Sequence, residues 1–113
     1  FPPKASRALS LLYGITAESL RRMPLDLSTR QTAILLTVYL KPGPHGVKRL
    51  AKELSISKPA VCRAVDVLEN AKLLRRAVDK KDKRNITQLP TAKGSGFLSE
   101  LAHILIRVSK DAS

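Results

Sequence analysis

The stretch "VKRLAKELSISKPAVCRAV", residues 47–65, decides the fold, because it contains two short helical patterns joined by a tight turn. Apolar residues recur at helical spacing over 47–54, which predicts a first helix there. Ser57 is a good N-cap and Pro59 is tolerated in a first helical turn, so a second helix is predicted from Ser57 to about Ala71. A short helix, a turn and a second helix form a helix-turn-helix, which predicts a DNA-binding surface.

The second helix divides its side chains between two faces. Val61, Val65 and Leu68 are expected to face a core, and the first helix would brace the second against the DNA backbone, with Lys48 expected at that contact. Serine and arginine can bind bases or phosphates, lysine can supply phosphate charge, and alanine or proline can pack on a thymine methyl group. The residues expected to face DNA at this end are Ser57, Lys58, Pro59, Ala60, Cys62 and Arg63.

Directly after this helix the hydrophobic period changes from helical to extended. The runs "LLRRAV" (73–78) and "NITQL" (85–89) are β-prone and are separated by "DKKDKR" (79–84), which predicts a hairpin with a long charged tip. Arginine at such a tip suits the narrow minor groove, and Asp82 is expected to orient Arg84 through a carboxylate–guanidinium pair. The expected DNA contacts at the tip are Lys80, Lys81, Asp82, Lys83 and Arg84; a merely solvated charged turn is the alternative.

Helical patterns flank this centre on both sides. Apolar spacing predicts a helix over 5–23 that Pro24 ends, and "LSTRQTAILLTVYL" (27–40) predicts a buried helix with a capping box of Ser28 and Gln31. Thr91 is expected to cap a last helix that runs to about Ser109. The predicted fold class is therefore mainly α with a small β-hairpin, that is, α+β.

Composition narrows the function class further. The chain has 113 residues, which favours one domain, and a net charge of +12 with a pI near 10.5, which is typical of nucleic-acid binding. Residues 41–84 hold 13 basic and 5 acidic residues, so +8 of that charge lies in the central window. Aromatic residues make up 4%, which predicts an aliphatic core and argues against stacking on single strands.

Compartment and chemistry are indicated mainly by what the sequence lacks. One cysteine fits a reducing compartment, and neither a signal-peptide pattern nor a membrane-spanning run is present, so we expect a cytoplasmic, nucleoid-associated protein with no membrane partner. The chain begins with Phe1, so residues before it are expected to be missing. His45 and His103 have no carboxylates at ligand spacing and no catalytic motif is present, so we expect no metal, no cofactor and no enzyme activity.

The sequence resembles the MarR-type winged-helix transcriptional regulators over about residues 27–110. The resemblance is carried by "LSTRQTAILLTVYL", by "VKRLAKELSISKPAVCRAVDVLENAKLLRR" and by "DKKDKRNITQLPTAKG". The last stretch holds the family's wing pattern Asp-x-Arg as Asp82-Lys83-Arg84. It also holds the family's helix start Thr-x-Lys-Gly as Thr91-Ala92-Lys93-Gly94.

The resemblance implies a winged helix-turn-helix that binds palindromic double-stranded DNA as a homodimer, with the second helix in the major groove and the wing in the minor groove. It implies one domain over 1–113, with an N-terminal dimerisation helix in 1–26, the winged helix in 27–90 and a C-terminal dimerisation helix in 91–113. A small-molecule effector is a further partner that it allows. The dimer contacts expected on the end helices are Leu9, Leu12, Leu98, Leu101, Leu105 and Val108.

The sequence departs from the family pattern at three places. Lys72 stands where the family usually has glycine in a left-handed helix end, which costs about 1 kcal/mol or alters that end. Pro90 removes a ladder donor, so the second wing strand is expected to be short or at an edge. The C-terminal region holds one helix where many relatives have longer or paired ones.

Two alternatives remain open at this point. Cys62 is either a small DNA-facing or half-buried residue or a thiol sensor, whose thiolate the nearby Lys58 and Arg63 would stabilise. The winged helix could also serve as a protein-interaction module in a replication, conjugation or polymerase assembly. Such a module would expose an apolar patch in place of the cations at Lys58, Arg63 and Arg84.

Overall fold

The structure, a computed structural model, describes residues 1–78 and 80–111. Over these residues the chain forms five helices and one antiparallel hairpin, in the winged-helix order predicted from the sequence. The elements are α1 (Pro3–Arg22), α2 (Thr29–Leu40), α3 (Val47–Leu54), α4 (Lys58–Asn70), β1 (Leu74–Val78), β2 (Ile86–Pro90) and α5 (Ala92–Asp111). The last two positions of the predicted segment 91–113 lie outside the described residues.

The chain divides into two compact units. One unit comprises residues 27–95, which contain α2, α3, α4 and the hairpin. The other contains α1 together with α5 from Gly96 onward. The DNA-binding elements predicted from the sequence therefore all lie in the first unit.

The core of the winged-helix unit is aliphatic, as the composition predicts. Helices α2, α3 and α4 and the start of β1 each contribute side chains that are almost completely removed from water, and each such side chain stabilises the fold by about 1.5–3 kcal/mol. The largest of these buried side chains are Ile34, Leu35, Leu50, Val61, Leu68, Leu73 and Leu74. Val65 is buried with them, so the predicted inner face of α4 is confirmed.

Helix α2 begins at the capping box that the sequence predicts. The Ser28 hydroxyl accepts from the Gln31 N–H at 3.1 Å, and the Gln31 side-chain oxygen accepts from the Ser28 N–H at 2.9 Å. Two backbone donors that the first helical turn leaves without partners are thereby satisfied. The cap fixes where α2 enters the core.

The wing hairpin runs in register from Leu74 opposite Pro90 to Val78 opposite Ile86. Pro90 is tolerated because it occupies the last pair of this ladder, where a missing N–H costs least. The middle of β2 is paired on its other side as well, since Thr87 bridges Gly46 and the Gln88 N–H donates to the His45 carbonyl at 3.0 Å. The expectation of a short or edge strand is therefore confirmed, because β2 has five residues in a two-stranded sheet and the Gly46–Thr87 contact is an isolated bridge.

Helix α4 ends in a left-handed residue although the sequence has no glycine there. Lys72 has φ 65°, its N–H donates to the Glu69 carbonyl at 3.0 Å, and the Leu73 N–H donates to the Leu68 carbonyl at 2.9 Å. This is the bond pattern of a Schellman end, which satisfies carbonyls of the last turn. Lysine adopts the conformation at a cost of about 1 kcal/mol, so the helix end is kept and not altered.

A network of hydrogen bonds links α2, the base of the wing and the start of α5. The Tyr39 hydroxyl lies 2.8 Å from the Leu73 carbonyl and accepts from the Thr91 N–H at 2.9 Å. The Thr91 hydroxyl donates to the Lys72 carbonyl at 2.7 Å and accepts from the Gly94 N–H at 2.9 Å, so Thr91 caps α5 as predicted. A Cβ at Gly94 would collide with the Tyr39 hydroxyl and the Leu73 carbonyl, which explains the glycine.

Helix α1 differs from the others in its burial. It has 20 residues, all within the described part of the chain, and none of them is buried. Gly14 lies against Val108 of α5, where an added Cβ would come within 2.7 Å of a valine methyl group. Among the described helices, none is both long and apolar enough to cross a membrane.

Candidate nucleic-acid interface

The N-terminal end of α4 presents exposed polar groups on a rigid base. Ser57 caps the helix, because its hydroxyl oxygen accepts from the Ala60 N–H at 3.2 Å, and its own O–H remains able to donate. Lys58, Pro59, Cys62 and Arg63 are all exposed. The first-turn amides and the helix dipole add positive potential at this end, which favours an anion such as a phosphate.

Ala60 is the exception to the predicted outer face. Its exposed fraction is only 5%, and it lies on the inner face of α4 in line with Ala64 and Leu68. Positions four apart share one face of a helix, so Ala60 continues the core stripe into the first turn. The expectation that its methyl group meets a thymine is therefore wrong.

Helix α3 carries a further exposed cation beside a fixed loop. Lys48 is exposed on the first turn of α3, as its proposed contact with the DNA backbone requires. Its neighbour Arg49 donates to the Pro44 carbonyl at 3.1 Å, which ties α3 to the preceding loop. Ser55 ends α3 in the left-handed conformation with φ 55°, and this residue makes the tight turn into α4.

The wing tip is organised by one acidic residue among its cations. Asp82 Oδ1 accepts from the Arg84 N–H at 3.1 Å and from Arg84 Nε at 3.2 Å, so the predicted carboxylate–guanidinium pair is confirmed. These bonds hold the pKa of Asp82 below its usual value. The Arg84 side chain is 92% exposed, and Lys80, Lys81 and Lys83 are exposed around it.

One ion pair of the wing was not predicted from the sequence. Arg76 on β1 donates through Nε and Nη2 to the two carboxylate oxygens of Glu69 on α4, at 3.2 Å and 3.0 Å. The two residues are seven positions apart and a helix end lies between them, so no spacing rule for a single element detects the pair. The only signal in the sequence is an acidic residue in the last turn of α4 followed by arginines in the next strand.

The apolar residues predicted for dimer contacts lie on the surface or near it. Leu9, Leu12 and Leu105 are exposed, Leu12 at 56%, and Leu98, Leu101 and Val108 are half-buried. The same two helices also expose apolar side chains that were not predicted for this role. These are Tyr13, Leu20 and Ile106.

The remaining candidate sites carry no special geometry. His45 is a loop residue that is buried, with Nε2 3.0 Å from the Lys41 carbonyl, and His103 is exposed on α5. Among the residues that the structure describes, no group of three or more metal-ligating side chains comes together. Cys62 is an exposed free thiol on the face of α4 that carries Arg63.

Comparisons with known proteins agree with this geometry. The family model described as the MarR family matches residues 25–85. A mutant of MepR from Staphylococcus aureus bound to an oligodeoxyribonucleotide is similar with a TM-score of 0.81 and 21% identity, covering 92% of this chain and 74% of that one. No curated protein matches by sequence.

Two further solved structures show the same fold. The transcriptional regulator BldR from Sulfolobus solfataricus is 27% identical with a TM-score of 0.68, and the match covers 96% of this chain and 73% of that one. CouR from Rhodococcus jostii, bound to p-coumaroyl-CoA, is 17% identical with a TM-score of 0.67, covering 92% of this chain and 71% of that one.

Proposed function

The chain belongs to the MarR family of transcriptional regulators, and on that premise we propose that it binds palindromic double-stranded DNA as a homodimer and regulates transcription. In this proposal the N-terminal end of α4 enters the major groove and the wing tip enters the minor groove. The observation that carries it is the exposure of cations at both places within one compact unit, at Lys58 and Arg63 on α4 and at Arg84 on the wing.

Long-range charge supports the DNA-binding part of the proposal. The net charge of +12 favours association with a polyanion, and each phosphate that a lysine or arginine neutralises releases condensed counterions. Binding is therefore expected to weaken steeply as salt rises. The cations assigned to phosphates are Lys48, Lys58, Lys80, Lys81 and Lys83.

Sequence reading is assigned to the outer face of α4. Arg63 is suited to a bidentate contact with guanine, and Ser57 can donate its O–H to a base or a phosphate while its oxygen caps the helix. Pro59 offers an apolar contact to a thymine methyl group. Cys62 is assigned the role of a small DNA-facing residue, because no second cysteine exists in the chain to resolve an oxidised form.

The wing is assigned to the minor groove. A narrow minor groove has an enhanced negative potential that attracts an inserted arginine. Asp82 supports this role indirectly, since it accepts from both the backbone and the side chain of Arg84 and so limits the directions that the guanidinium can take. Arg84 then reaches DNA with less conformational entropy to lose.

The homodimer is supported by the surface of α1 and α5. A helix of 20 residues without a buried residue, such as α1, stays stable more readily when a partner covers its apolar side chains. Leu101→Asp and Leu105→Asp should each place a charge in that interface and shift the chain to monomer. Light scattering checks this, and an unchanged dimer mass in both variants would remove α5 from the interface.

We also propose that a small-molecule effector binds between α1 and α5. CouR, which has the same fold, is bound to p-coumaroyl-CoA. A cleft of about 490 Å³ between α1 and α5 is lined by Tyr13, Arg21 and Arg107 among others, a mixture that suits an aromatic anion. Raised thermal stability with hydroxycinnamate that is lost in Arg107→Ala would support this site, and no shift with the wild-type chain would count against it.

The two alternative classes receive less support. A protein-interaction module would show an apolar patch where this chain exposes Lys58, Arg63 and Arg84. The family is one of regulators and not of enzymes. We therefore propose that the protein binds DNA and that it is cytoplasmic and associated with the nucleoid.

Selection of binding sites from random duplex DNA with the purified chain tests the proposal. A palindrome whose half-sites lie about one helical turn apart is expected, because dimer symmetry is mirrored in the operator. Enrichment of an unpaired half-site would contradict the homodimer. No enrichment, with equal binding of all duplexes, would contradict sequence-specific regulation.

A further inference from the structure

Arg76, on wing strand β1, is held by carboxylates of α4. Its Nε and Nη2 donate to the two oxygens of Glu69, and Nη2 also lies 4.0 Å from Asp66 Oδ1. A bidentate pair fixes the plane of the guanidinium as well as its distance from the carboxylate. The pair therefore ties the first wing strand to the C-terminal half of the helix assigned to the major groove.

The Glu69 end of this pair is the fixed end. The Glu69 side chain is only 17% exposed, and its backbone carbonyl accepts from Lys72 in the left-handed turn that ends α4. Arg76 is half exposed, and its pKa is raised mainly by its hydrogen bonds with Glu69. A wing strand is thus anchored to a part of the helix that cannot easily move.

The adjacent arginine provides the contrast. Arg75 is exposed on β1, and within the described part of the chain the structure gives it no ion pair. Successive side chains of a strand point to opposite faces, so Arg75 does not share the direction of Arg76. Of these two arginines, Arg76 is the one that pairs with a carboxylate in the described part of the chain, so it is the less suited of the two to bind a phosphate.

We infer that Arg76 is a positioning residue for the wing: its pair with Glu69 fixes the direction in which the hairpin leaves α4, and so sets where Arg84 meets the minor groove. The inference rests on the proposed function, because it assigns Arg76 to the placement of a DNA contact that another residue makes. It also accounts for two carboxylates, Asp66 and Glu69, on a helix that approaches phosphates.

The first test separates positioning from charge. Arg76→Gln should weaken operator binding about threefold to tenfold, the range expected when an ordered arginine becomes free to move. In an Arg84→Ala background the same change should weaken binding by a clearly smaller factor, because the minor-groove contact of Arg84 is already gone and the wing lysines alone are still affected. Equal losses in both backgrounds would overturn the inference and make Arg76 a direct phosphate contact.

Two matched variants sharpen this result. Arg75→Gln removes the same charge from the next position, and its effect should be the same factor in both backgrounds. Glu69→Gln breaks the pair from the other side while making the chain more cationic, so positioning predicts weaker binding where simple electrostatics predicts tighter binding. Tighter operator binding by Glu69→Gln, or a background-dependent effect of Arg75→Gln, would contradict the inference.

The second test needs no DNA and so separates this inference from the proposed function. In a Cys62→Ser chain, nitroxides are attached at Lys52→Cys on α3 and Lys83→Cys on the wing, and labelled chains are diluted with unlabelled ones. Arg76→Gln should broaden the distribution of distances between the two labels, and Arg75→Gln should leave it narrow. Equally narrow distributions would overturn the inference, whereas a wild-type chain that binds no duplex would defeat the proposed function alone.

Discussion

The two surfaces assigned to DNA, the N-terminal end of α4 and the wing tip, are built in opposite ways. The helix end continues directly from the core, since Ala60 and Val61 are buried one turn from the exposed Lys58 and Arg63. Among the described residues of the wing tip, 80–84, none is buried, and the local pair of Asp82 with Arg84 organises the tip. The first surface is rigid because it is packed, whereas the second is directed by the charged hydrogen bonds between Asp82 and Arg84.

Because of this difference, mutations at the two surfaces should affect the free energy of unfolding and the affinity for DNA to different extents. A packed surface transmits a core mutation to both folding and recognition. A surface held by exposed hydrogen bonds can change its DNA contact with little effect on the free energy of unfolding, because exposed ion pairs contribute about 1 kcal/mol or less. Each of the following predictions tests one side of this contrast.

The largest effect is expected beneath the helix surface. Leu68→Ala should lower the free energy of unfolding by about 2–5 kcal/mol, since Leu68 is fully buried and its loss leaves a cavity. Lys83→Ala at the wing tip should change it by less than about 0.5 kcal/mol. Denaturant titration checks both, and similar losses would show that the two regions are not built differently.

The next effect concerns sequence reading. Arg63→Ala should weaken binding to the cognate operator by about 1–3 kcal/mol if Arg63 reads a base. Binding to random duplex should weaken much less. Titration of both duplexes at one salt concentration checks this, and an equal loss on both would recast Arg63 as a phosphate contact.

Arg84→Ala sharpens the comparison from the wing side. It should weaken DNA binding and reduce the slope of log affinity against log salt by about 0.9, the value for one phosphate-equivalent charge. The unfolding midpoint should stay close to that of the wild-type chain, because Arg84 is exposed. An unchanged affinity with an unchanged slope would remove the wing from the interface.

Lys72→Gly tests the left-handed helix end that connects α4 to the first wing strand. Glycine adopts the left-handed conformation without the penalty that lysine has, so the variant should be more stable by up to about 1 kcal/mol, partly offset by the greater freedom of glycine in the unfolded chain. Thermal unfolding checks the sign. A clear destabilisation would mean that the lysine side chain contributes contacts that outweigh backbone strain.

The smallest effect is that of pH on the wing tip. Arg84 lowers the pKa of Asp82 in the folded chain, so folding favours the carboxylate. The resulting stabilisation is present above the unfolded-state pKa and is lost as pH falls through the lower folded-state pKa. NMR titration should show Asp82 protonating at higher pH in Arg84→Ala, and an unchanged midpoint would mean that the pair is not formed in solution.

Features whose causes lie within a few residues could be predicted from the sequence, whereas features set by tertiary packing were harder to predict. The bounds of α3, the Ser28 and Ser57 caps and the Asp82–Arg84 pair were predicted, because their causes lie within a few residues. The burial of Ala60 was missed although its spacing from Ala64 and Leu68 is visible in the sequence, because its place in the first turn of α4 was taken to put it on the outer face. The Glu69–Arg76 pair was missed because it depends on the angle between a helix and a strand.

The measurement that most directly tests the central claim is a titration of the purified chain with its selected operator and with a scrambled duplex of equal length, over a range of salt. The account predicts binding to the operator about a thousandfold tighter or more, with both affinities falling linearly in log salt. Equal affinity for the two duplexes, or no binding to either, would contradict it.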